Sequence, residues 1–366
     1  MKVCLTNCVS TLTLRIDFMH YFGIIGYGGM ASYHHLRIEK PEQIRFKAVF
    51  DLAPARLEKA RKDGLIAYDN LDALLNDEQI DTILVATPND SHRMYAIAAM
   101  EAGKNVICEK PVALNAQELA QMLKVAEKHG VVFTAHQNRR MDEDYRIIKK
   151  IYDENMLGDV FRIESRVQGS RGIADTWRRR KDKGGGMLYD WGVHLIDQIL
   201  CLVDSPVVSV FAEFQQITQT EVDDNVRLTM TFQNGLSALV EIGLCNYIML
   251  PLWYMAGKTG TAQIDYWDLS GKMHLLIDND IKFEDEIPST LVGPSITLAP
   301  RAEDTMAVAP LPKADVDKAF FYKNFLDVLD GNAELCIKPQ EIMRCMQIMD
   351  LAFLSGKEKR VMNCKI

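Results

Sequence analysis

The stretch Tyr21–Ala31, which reads YFGIIGYGGMA, decides the fold of this chain. A short apolar run predicts a β-strand, and the glycine-rich turn after it leads into a helical pattern that extends to about residue 40. The small residues follow the spacing Gly26-x-Gly28-x-x-Ala31. In this context Gly26 permits a tight turn, Gly28 lets a phosphate approach the backbone, and Ala31 permits close packing of helix on strand. The stretch therefore predicts the first strand and helix of a dinucleotide-binding sheet.

Strands and helices alternate downstream of this turn. Apolar runs predict further strands at 45–50, 81–86, 105–108 and 131–134. Helical patterns separate them at 54–62, 91–102 and 116–129. Alternation at this spacing is typical of an α/β fold, a doubly wound parallel sheet with helices packed on it. We predict that residues 19–138 form this Rossmann domain.

The pattern changes after residue 138. A helix is predicted over 142–155, and longer strands with period-two alternation follow it. The clearest pair, 226–232 and 236–242, is joined by Gln233-Asn234-Gly235, a strong hairpin signal. Amphipathic helices are predicted at 316–329 and 339–354. We predict that residues 139–366 form an α+β domain for substrate binding and oligomerisation, built on a large, mostly antiparallel open sheet.

Residues 1–18 precede the first predicted strand. Arg15 and Asp17 lie where a signal peptide would need its apolar stretch. We interpret this segment as an extension or a mis-called start, with Met19 as the natural first residue.

Composition limits the class of protein. A chain of 366 residues fits two domains, and its 48% hydrophobic and 25% charged content is typical of a soluble globular enzyme. The net charge of −8 argues against nucleic-acid and anionic-membrane partners. Eight cysteines show neither a Cys-x-x-Cys pair nor zinc-type spacing with histidine, and no apolar run reaches the roughly 18 residues that span a membrane. We expect a cytoplasmic protein without a bound metal.

Candidate cofactor residues follow the carboxyl ends of the predicted strands. Asp51 ends the second strand at about the interval expected for a carboxylate that accepts hydrogen bonds from the adenosine ribose and repels a 2′-phosphate. NAD is therefore favoured over NADP, although Arg56 leaves dual use open. Asn89 is also a plausible helix cap. The predicted cofactor-binding residues are Gly26, Tyr27, Gly28, Gly29, Met30, Asp51, Arg56, Thr87, Pro88, Asn89, His92, Glu109 and Lys110.

The candidate reacting groups lie in two motifs. Glu109-Lys110-Pro111 follows the strand at 105–108, so Lys110 should point into the crevice at the carboxyl edge of the sheet. Gly184-Gly185-Gly186 makes a loop that a ligand can approach closely, and it precedes a helical pattern with Asp190 and His194 four residues apart. Histidine suits proton transfer near neutral pH. A core histidine and a metal held by Asp190 and His194 are the alternatives, and the metal lacks a clear third ligand.

Taken together, the motifs resemble those of the glucose–fructose oxidoreductase, inositol dehydrogenase and rhizopine-catabolism (Gfo/Idh/MocA) family over nearly the whole chain from Tyr21 onward. The matching motifs are Gly26-x-Gly28-x-x-Ala31, Ala86-Thr87-Pro88-Asn89 with His92, Glu109-Lys110-Pro111, Trp177-Arg178, Gly185-Gly186, Asp190-x-x-x-His194-x-x-Asp197 and Ser355-Gly356-Lys357. Ala31 and the amino-terminal extension depart from the family pattern. The resemblance implies that Lys110, Asp190 and His194 are the catalytic set and that the protein is a homo-oligomer.

The resemblance further implies an NAD-dependent oxidoreductase that acts on a ring secondary alcohol of a sugar or glycoside, with C3 oxidation to a 3-keto sugar as one concrete form. An inositol (cyclitol) dehydrogenase is the first alternative, and a non-catalytic sensor of dinucleotide or sugar is the second. Whether Lys110 or His194 takes the substrate proton is left open. The expected substrate contacts are Lys110, Asn138, Arg139, Tyr145, Trp177, Arg178, Tyr189, Asp190 and His194.

Overall fold

The computed structural model describes residues 19–218, 220–278, 289–290, 293–294, 301 and 303–366. The interpretation of residues 1–18 lies outside the described residues. Among the helices that are described, none is both long and apolar enough to cross a bilayer.

The first sheet is the predicted parallel one. Its elements in chain order are β1 (His20–Ile25), α1 (Gly29–Leu36), β2 (Ile44–Phe50), α2 (Pro54–Lys62), β3 (Ile66–Tyr68), α3 (Leu71–Leu75), β4 (Ile80–Val85), α4 (His92–Glu101), β5 (Asn105–Cys108), α5 (Ala116–His129) and β6 (Phe133–Ala135). Six parallel strands lie in the order β3-β2-β1-β4-β5-β6. The strand order reverses between β1 and β4, and such a reversal opens a crevice at the carboxyl ends of the strands.

Local sequence explains where the helices of this sheet begin and end. The Asn115 side chain accepts a hydrogen bond from the Glu118 amide at 2.8 Å, which caps α5, and Gly130 ends the same helix with φ of 63°. Helix α1 is shorter than predicted. It ends at Leu36, and the Lys40 ammonium caps its last turn by donating to the carbonyl oxygens of His34 and His35 at 3.2 and 3.0 Å. The short elements β3 and α3 were not predicted.

The second sheet is large and mixed. Its elements and flanking helices are α6 (Glu143–Asp153), β7 (Val160–Gln168), α7 (Val193–Leu202), β8 (Val207–Gln215), β9 (Asn225–Phe232), β10 (Ser237–Gly243), β11 (Trp253–Gly257), β12 (Gly260–Ile264), β13 (Gly271–Leu276), β14 (Ser289–Thr290), β15 (Gly293–Pro294), β16 (Met306–Ala309), α8 (Phe320–Leu329), α9 (Pro339–Glu358) and β17 (Met362–Asn363). Nine strands lie in the order β16-β13-β12-β11-β7-β10-β9-β8-β17, while β14 and β15 pair separately. Every neighbouring pair with a described register in the large sheet is antiparallel except β7 with β10. The predicted fold class is confirmed, and so is the hairpin of β9 and β10.

The last two helices connect the sheets. On α9, Gly356 sits against the Phe214 ring of β8, and a Cβ at this position would collide with that ring. On α8, the Phe325 ring lies 6.0 Å from the Phe22 ring of β1, and the Tyr322 hydroxyl lies 2.5 Å from Nδ1 of His34. The carboxyl-terminal segment therefore returns to the parallel sheet, and the division of the chain at residue 138 stays a prediction.

Candidate active site

A crevice follows the carboxyl edge of the parallel sheet. It consists of two adjoining hollows of about 510 and 350 Å³, which share Arg56, Thr87 and Pro88 in their walls. Asp51 lines the first hollow, and Lys110 lines the second. This is the place where open α/β sheets bind their ligands.

The glycine-rich turn has the shape that a dinucleotide needs. Gly26 has φ of +89°, and a Cβ there would approach the Ala86 carbonyl oxygen to 2.9 Å. A Cβ on Gly28 or Gly29 would meet no atom within 4 Å, so the backbone before α1 is open to the crevice. The amides at the start of α1 can therefore bind a pyrophosphate. The Tyr27 side chain is 1% exposed and its hydroxyl donates to Asp63 at 2.8 Å, so the ring does not line the crevice.

Asp51 is held rigidly at the end of β2. Its carboxylate accepts hydrogen bonds from the backbone amides of Tyr27 and Ala53 at 2.7 and 2.8 Å. Nη1 of Arg56 lies 3.4 Å from Oδ2 of Asp51, and Arg56 lines both hollows. The position suits an adenosine ribose, with a cation beside it.

The loop after β4 contributes in two different ways. Thr87, Pro88 and Asn89 line the second hollow, and Nδ2 of Asn89 also donates to the Gly184 carbonyl at 2.7 Å. His92 is 1% exposed, with its ring nitrogens 2.9 Å from the carbonyl oxygens of Thr87 and Pro111. His92 therefore joins the loops after β4 and β5 and does not face the crevice, so its position gives the expected cofactor contact no support.

Lys110 and Asp190 form the centre of the second hollow. Nζ of Lys110 donates to the backbone oxygen of Asp190 at 2.8 Å and to its Oδ1 at 3.0 Å. Nε of Arg178 lies 3.2 Å from the same Oδ1, and the Arg178 guanidinium lies over the Trp177 ring at 4.7 Å. Burial by itself raises the pKa of Asp190, but the cations outweigh it and hold that pKa below its ordinary value. Asp190 is therefore anionic and shared between two cations.

His194 lies beside this centre in a buried setting. It is 4% exposed, and its Nδ1 has no hydrogen-bond partner among the described residues. Burial, followed by the charges of Lys110 and Arg139, holds the pKa of His194 well below 6.5. The imidazole is therefore neutral at neutral pH, and His194 is not among the residues that line the two hollows.

The glycine loop before this helix packs closely against other atoms of the same chain. A Cβ on Gly185 would collide with the Arg178 carbonyl, and a Cβ on Gly186 would collide with the Asp223 carboxylate. The glycines thus let the loop pack against its own chain, which differs from the ligand approach that the sequence suggested. The helix itself opens with a π turn over Leu188–Gly192 before α7 begins. Such turns are frequent at functional sites.

Two expected substrate contacts lie away from the crevice. Tyr145 is 2% exposed and its ring packs 6.4 Å from that of Trp253 on β11. The Tyr189 hydroxyl donates to the Leu114 carbonyl at 2.7 Å, and its ring lies 4.9 Å from that of Phe353. Tyr189 lines a neighbouring hollow that does not include Lys110.

Asn138 and Arg139 lie in a short helical turn after β6. The Arg139 guanidinium contacts two tryptophans that were not predicted from the sequence. Its carbon lies 4.1 Å from the Trp191 ring and 5.8 Å from the Trp267 ring. Trp191 follows Asp190 directly, so its position in the chain could have indicated it. Trp267 lies in the turn between β12 and β13, where no local pattern marks it.

Glu109 belongs to a buried network. Its Oε1 lies 2.7 Å from Nε2 of His34 and 2.8 Å from Nδ1 of His136. Burial by itself raises the pKa of Glu109, but the two histidines hold it well below the ordinary value. The three donor atoms also lie close enough to hold a metal ion, yet direct hydrogen bonds already account for their arrangement. Although Glu109 borders the second hollow, its Oε1 points to the histidines, and its Oε2 accepts from the Lys110 amide at 3.2 Å.

Comparisons with known proteins identify the family of this chain. A family model described as an oxidoreductase family with an NAD-binding Rossmann fold matches residues 21–137, and a model of the Gfo/Idh/MocA C-terminal domain matches residues 145–263. The crystal structure of an NAD-binding protein from Listeria innocua is 39% identical, with a TM-score of 0.92, over 95% of this chain and 100% of that one.

Two curated relatives have assigned activities. The scyllo-inositol 2-dehydrogenase (NADP(+)) IolW of Bacillus subtilis is 25% identical over 344 residues, which are 92% of this chain and 94% of the relative. The 2,7-anhydro-N-acetylneuraminate hydratase of Mediterraneibacter gnavus is 27% identical over 259 residues, 69% of each chain.

Proposed function

Because the chain belongs to the Gfo/Idh/MocA family of oxidoreductases, we propose that it is an NAD-dependent dehydrogenase acting on a ring secondary alcohol of a sugar or glycoside. The observation that carries the proposal is the contact of Lys110 with Asp190 beside a neutral His194, whose Nδ1 has no partner among the described residues, next to a turn open to a dinucleotide. One concrete form is oxidation at C3 of a glucose-type ring to a 3-keto sugar.

The cofactor would occupy the whole crevice. The amides before α1 would hold its pyrophosphate, Asp51 its adenosine ribose, and Thr87 to Asn89 the far end of the molecule. When bound, NAD supplies the carbon that accepts the hydride. The buried, amide-fixed carboxylate of Asp51 supports NAD, while Arg56 beside it and the NADP-linked relative IolW keep NADP as the second candidate.

His194 and Lys110 would have different roles in removing the proton from the substrate hydroxyl. His194 is neutral, so it would accept the proton of the substrate hydroxyl on a ring nitrogen. The Lys110 ammonium would donate a hydrogen bond to the same oxygen and stabilise its developing negative charge. Asp190 would hold Lys110 in position and bind a neighbouring hydroxyl, and Trp177 and Arg178 would border the substrate.

The second candidate is a cyclitol dehydrogenase, which the likeness to IolW favours. A non-catalytic sensor has little need of both Lys110 and His194. A panel of hexoses, glycosides and inositols, tested with NAD and NADP in parallel, decides among the three by NADH or NADPH absorbance. Oxidation of inositols alone would replace the sugar proposal, and no oxidation of any cyclic polyol would contradict the enzyme proposal.

We also propose that the protein is a homo-oligomer. Tyr247 and Ile248, on the loop between β10 and β11, are 83% and 86% exposed. Large apolar side chains exposed side by side commonly mark a protein contact. Size-exclusion chromatography with light scattering tests the proposal, and a monomer at working concentration would contradict it.

A further inference from the structure

Three flat side chains form a ladder that leads from His194 to the surface. The Trp191 ring lies 5.9 Å from the His194 ring, and the Trp267 ring lies 5.7 Å from the Trp191 ring. The Arg139 guanidinium contacts both tryptophans, at 4.1 and 5.8 Å. The last member, Trp267, is 43% exposed. We call Arg139, Trp191 and Trp267 the aromatic ladder.

The topology places the ladder at the active-site end of the second sheet. Strands β7 and β12 both run antiparallel to β11, so they point the same way and end at the same edge. The loop after β7 carries Arg178, which contacts Asp190, and the turn after β12 carries Trp267. This turn is fixed internally, because the Asp265 amide donates to the Ser270 carbonyl at 2.7 Å.

Two features of the ladder indicate that it receives a ligand. Nε of Arg139 is a buried atom without a hydrogen-bond partner among the described residues, while Nη1 of the same guanidinium donates to Asp142 at 2.6 Å, and buried polar atoms usually have a partner. An exposed tryptophan on a well-ordered turn presents a broad apolar face with little entropy to lose on binding. The reacting ring would lie near His194, and Trp267 is the member of the ladder that is separated from His194 by the Trp191 ring.

We propose that the aromatic ladder is a second subsite, which binds a ring attached to the reacting sugar. The proposal rests on the proposed function, and it selects glycosides over free monosaccharides and cyclitols as substrates. The second ring must present a flat apolar face, which both a second pyranose and an aryl group do. Trp267 stacks on this ring, while Trp191 and Arg139 hold Trp267 in place.

The test compares one-ring and two-ring probes on three variants. Glucose, cellobiose and phenyl β-glucoside are titrated calorimetrically into the NADH-saturated protein and assayed as substrates with NAD. We expect the two-ring probes to bind wild-type protein more tightly than glucose does, and Trp267→Ala to weaken them by about tenfold while leaving glucose unchanged. Trp267→Phe keeps a ring and should retain most of the preference. Cellobiose and phenyl glucoside distinguish a sugar ring from an aryl group as the occupant.

Phe161→Ala is the matched control. Phe161 is 52% exposed and lies on β7 at the opposite end of the sheet, so its loss removes an equal aromatic surface without touching the ladder. A Trp267→Ala variant that keeps the wild-type preference overturns the proposal, and so does one that changes only the oligomeric mass. If glucose is oxidised and the two-ring probes gain nothing, the subsite fails while the proposed function stands. If no probe binds or reacts, the subsite fails, and the wider panel of cyclic polyols decides the proposed function.

Discussion

Replacement of Lys110 by methionine removes one cation from the crevice and keeps most of the side-chain volume. The Arg178 Nε lies 3.2 Å from the Asp190 oxygen that Lys110 contacts at 3.0 Å, so the carboxylate keeps a charged partner in the variant. We therefore expect the free energy of unfolding to change by no more than about 1 kcal/mol. The oxygen of the substrate hydroxyl, in contrast, would lose the hydrogen-bond donor that Lys110 supplies. Loss of a donor aimed at a developing oxyanion costs about 3–4 kcal/mol, so kcat should fall by about 10²–10³-fold.

Lys47→Met is the control for Lys110→Met. Lys47 pairs with Asp77 at 2.6 Å, and the two side chains are 19% and 8% exposed, against 13% and 19% for Lys110 and Asp190. The control should lower the melting temperature at least as much as Lys110→Met does and leave kcat unchanged, because the pair lies outside the crevice. NADH formation at saturating substrate and thermal denaturation measure the two effects. A Lys110→Met enzyme that keeps kcat within about threefold of wild type would refute the role given to Lys110.

Three further predictions follow from the same geometry. The pKa of His194 lies well below 6.5, so the midpoint of the acidic limb in a plot of kcat/KM against pH should lie below pH 6.5. His194→Gln should abolish this limb together with most of the activity. An unchanged pH profile in the variant would assign the proton to another group. Asp51→Ala should shift the ratio of kcat/KM for NAD to that for NADP by about tenfold toward NADP, because the variant loses the ribose acceptor and keeps Arg56; an unaltered ratio would contradict the assignment of Asp51. Burial raises the pKa of Asp223 from 3.8 to about 6, so the folded protein binds the proton more tightly than the unfolded chain and stability should fall as pH rises through this interval. At about 1.4 kcal/mol per pH unit, the free energy of unfolding should fall by on the order of 3 kcal/mol, as measured by urea denaturation. Asp223→Asn should remove most of this pH dependence. An equally steep fall in the variant would show that another group binds the proton.

Much of the parallel sheet could be predicted because its signals are local. Strand β5 and helix α5 were placed at their observed bounds, since an apolar run fills the strand, Asn115 caps the helix and Gly130 ends it. The cause of the glycine loop at 184–186 was harder to predict. A side chain on Gly185 would collide with the Arg178 carbonyl, and one on Gly186 would collide with the Asp223 carboxylate. The spacing of residues within the loop does not predict these two contacts.

The sequence by itself determined the fold class, the glycine turn and the position of Lys110 at the end of β5, because hydrophobic periodicity and strand ends are properties of neighbouring residues. Only the tertiary structure decided which side chains meet there. It joined Lys110 to Asp190, and it buried His92 and Tyr145, which had been expected to contact a ligand. It also brought Trp267, from a turn in the second sheet, toward His194. These long-range contacts depend on how the two sheets pack against each other, so they cannot be predicted from the residues that lie next to each side chain in the sequence.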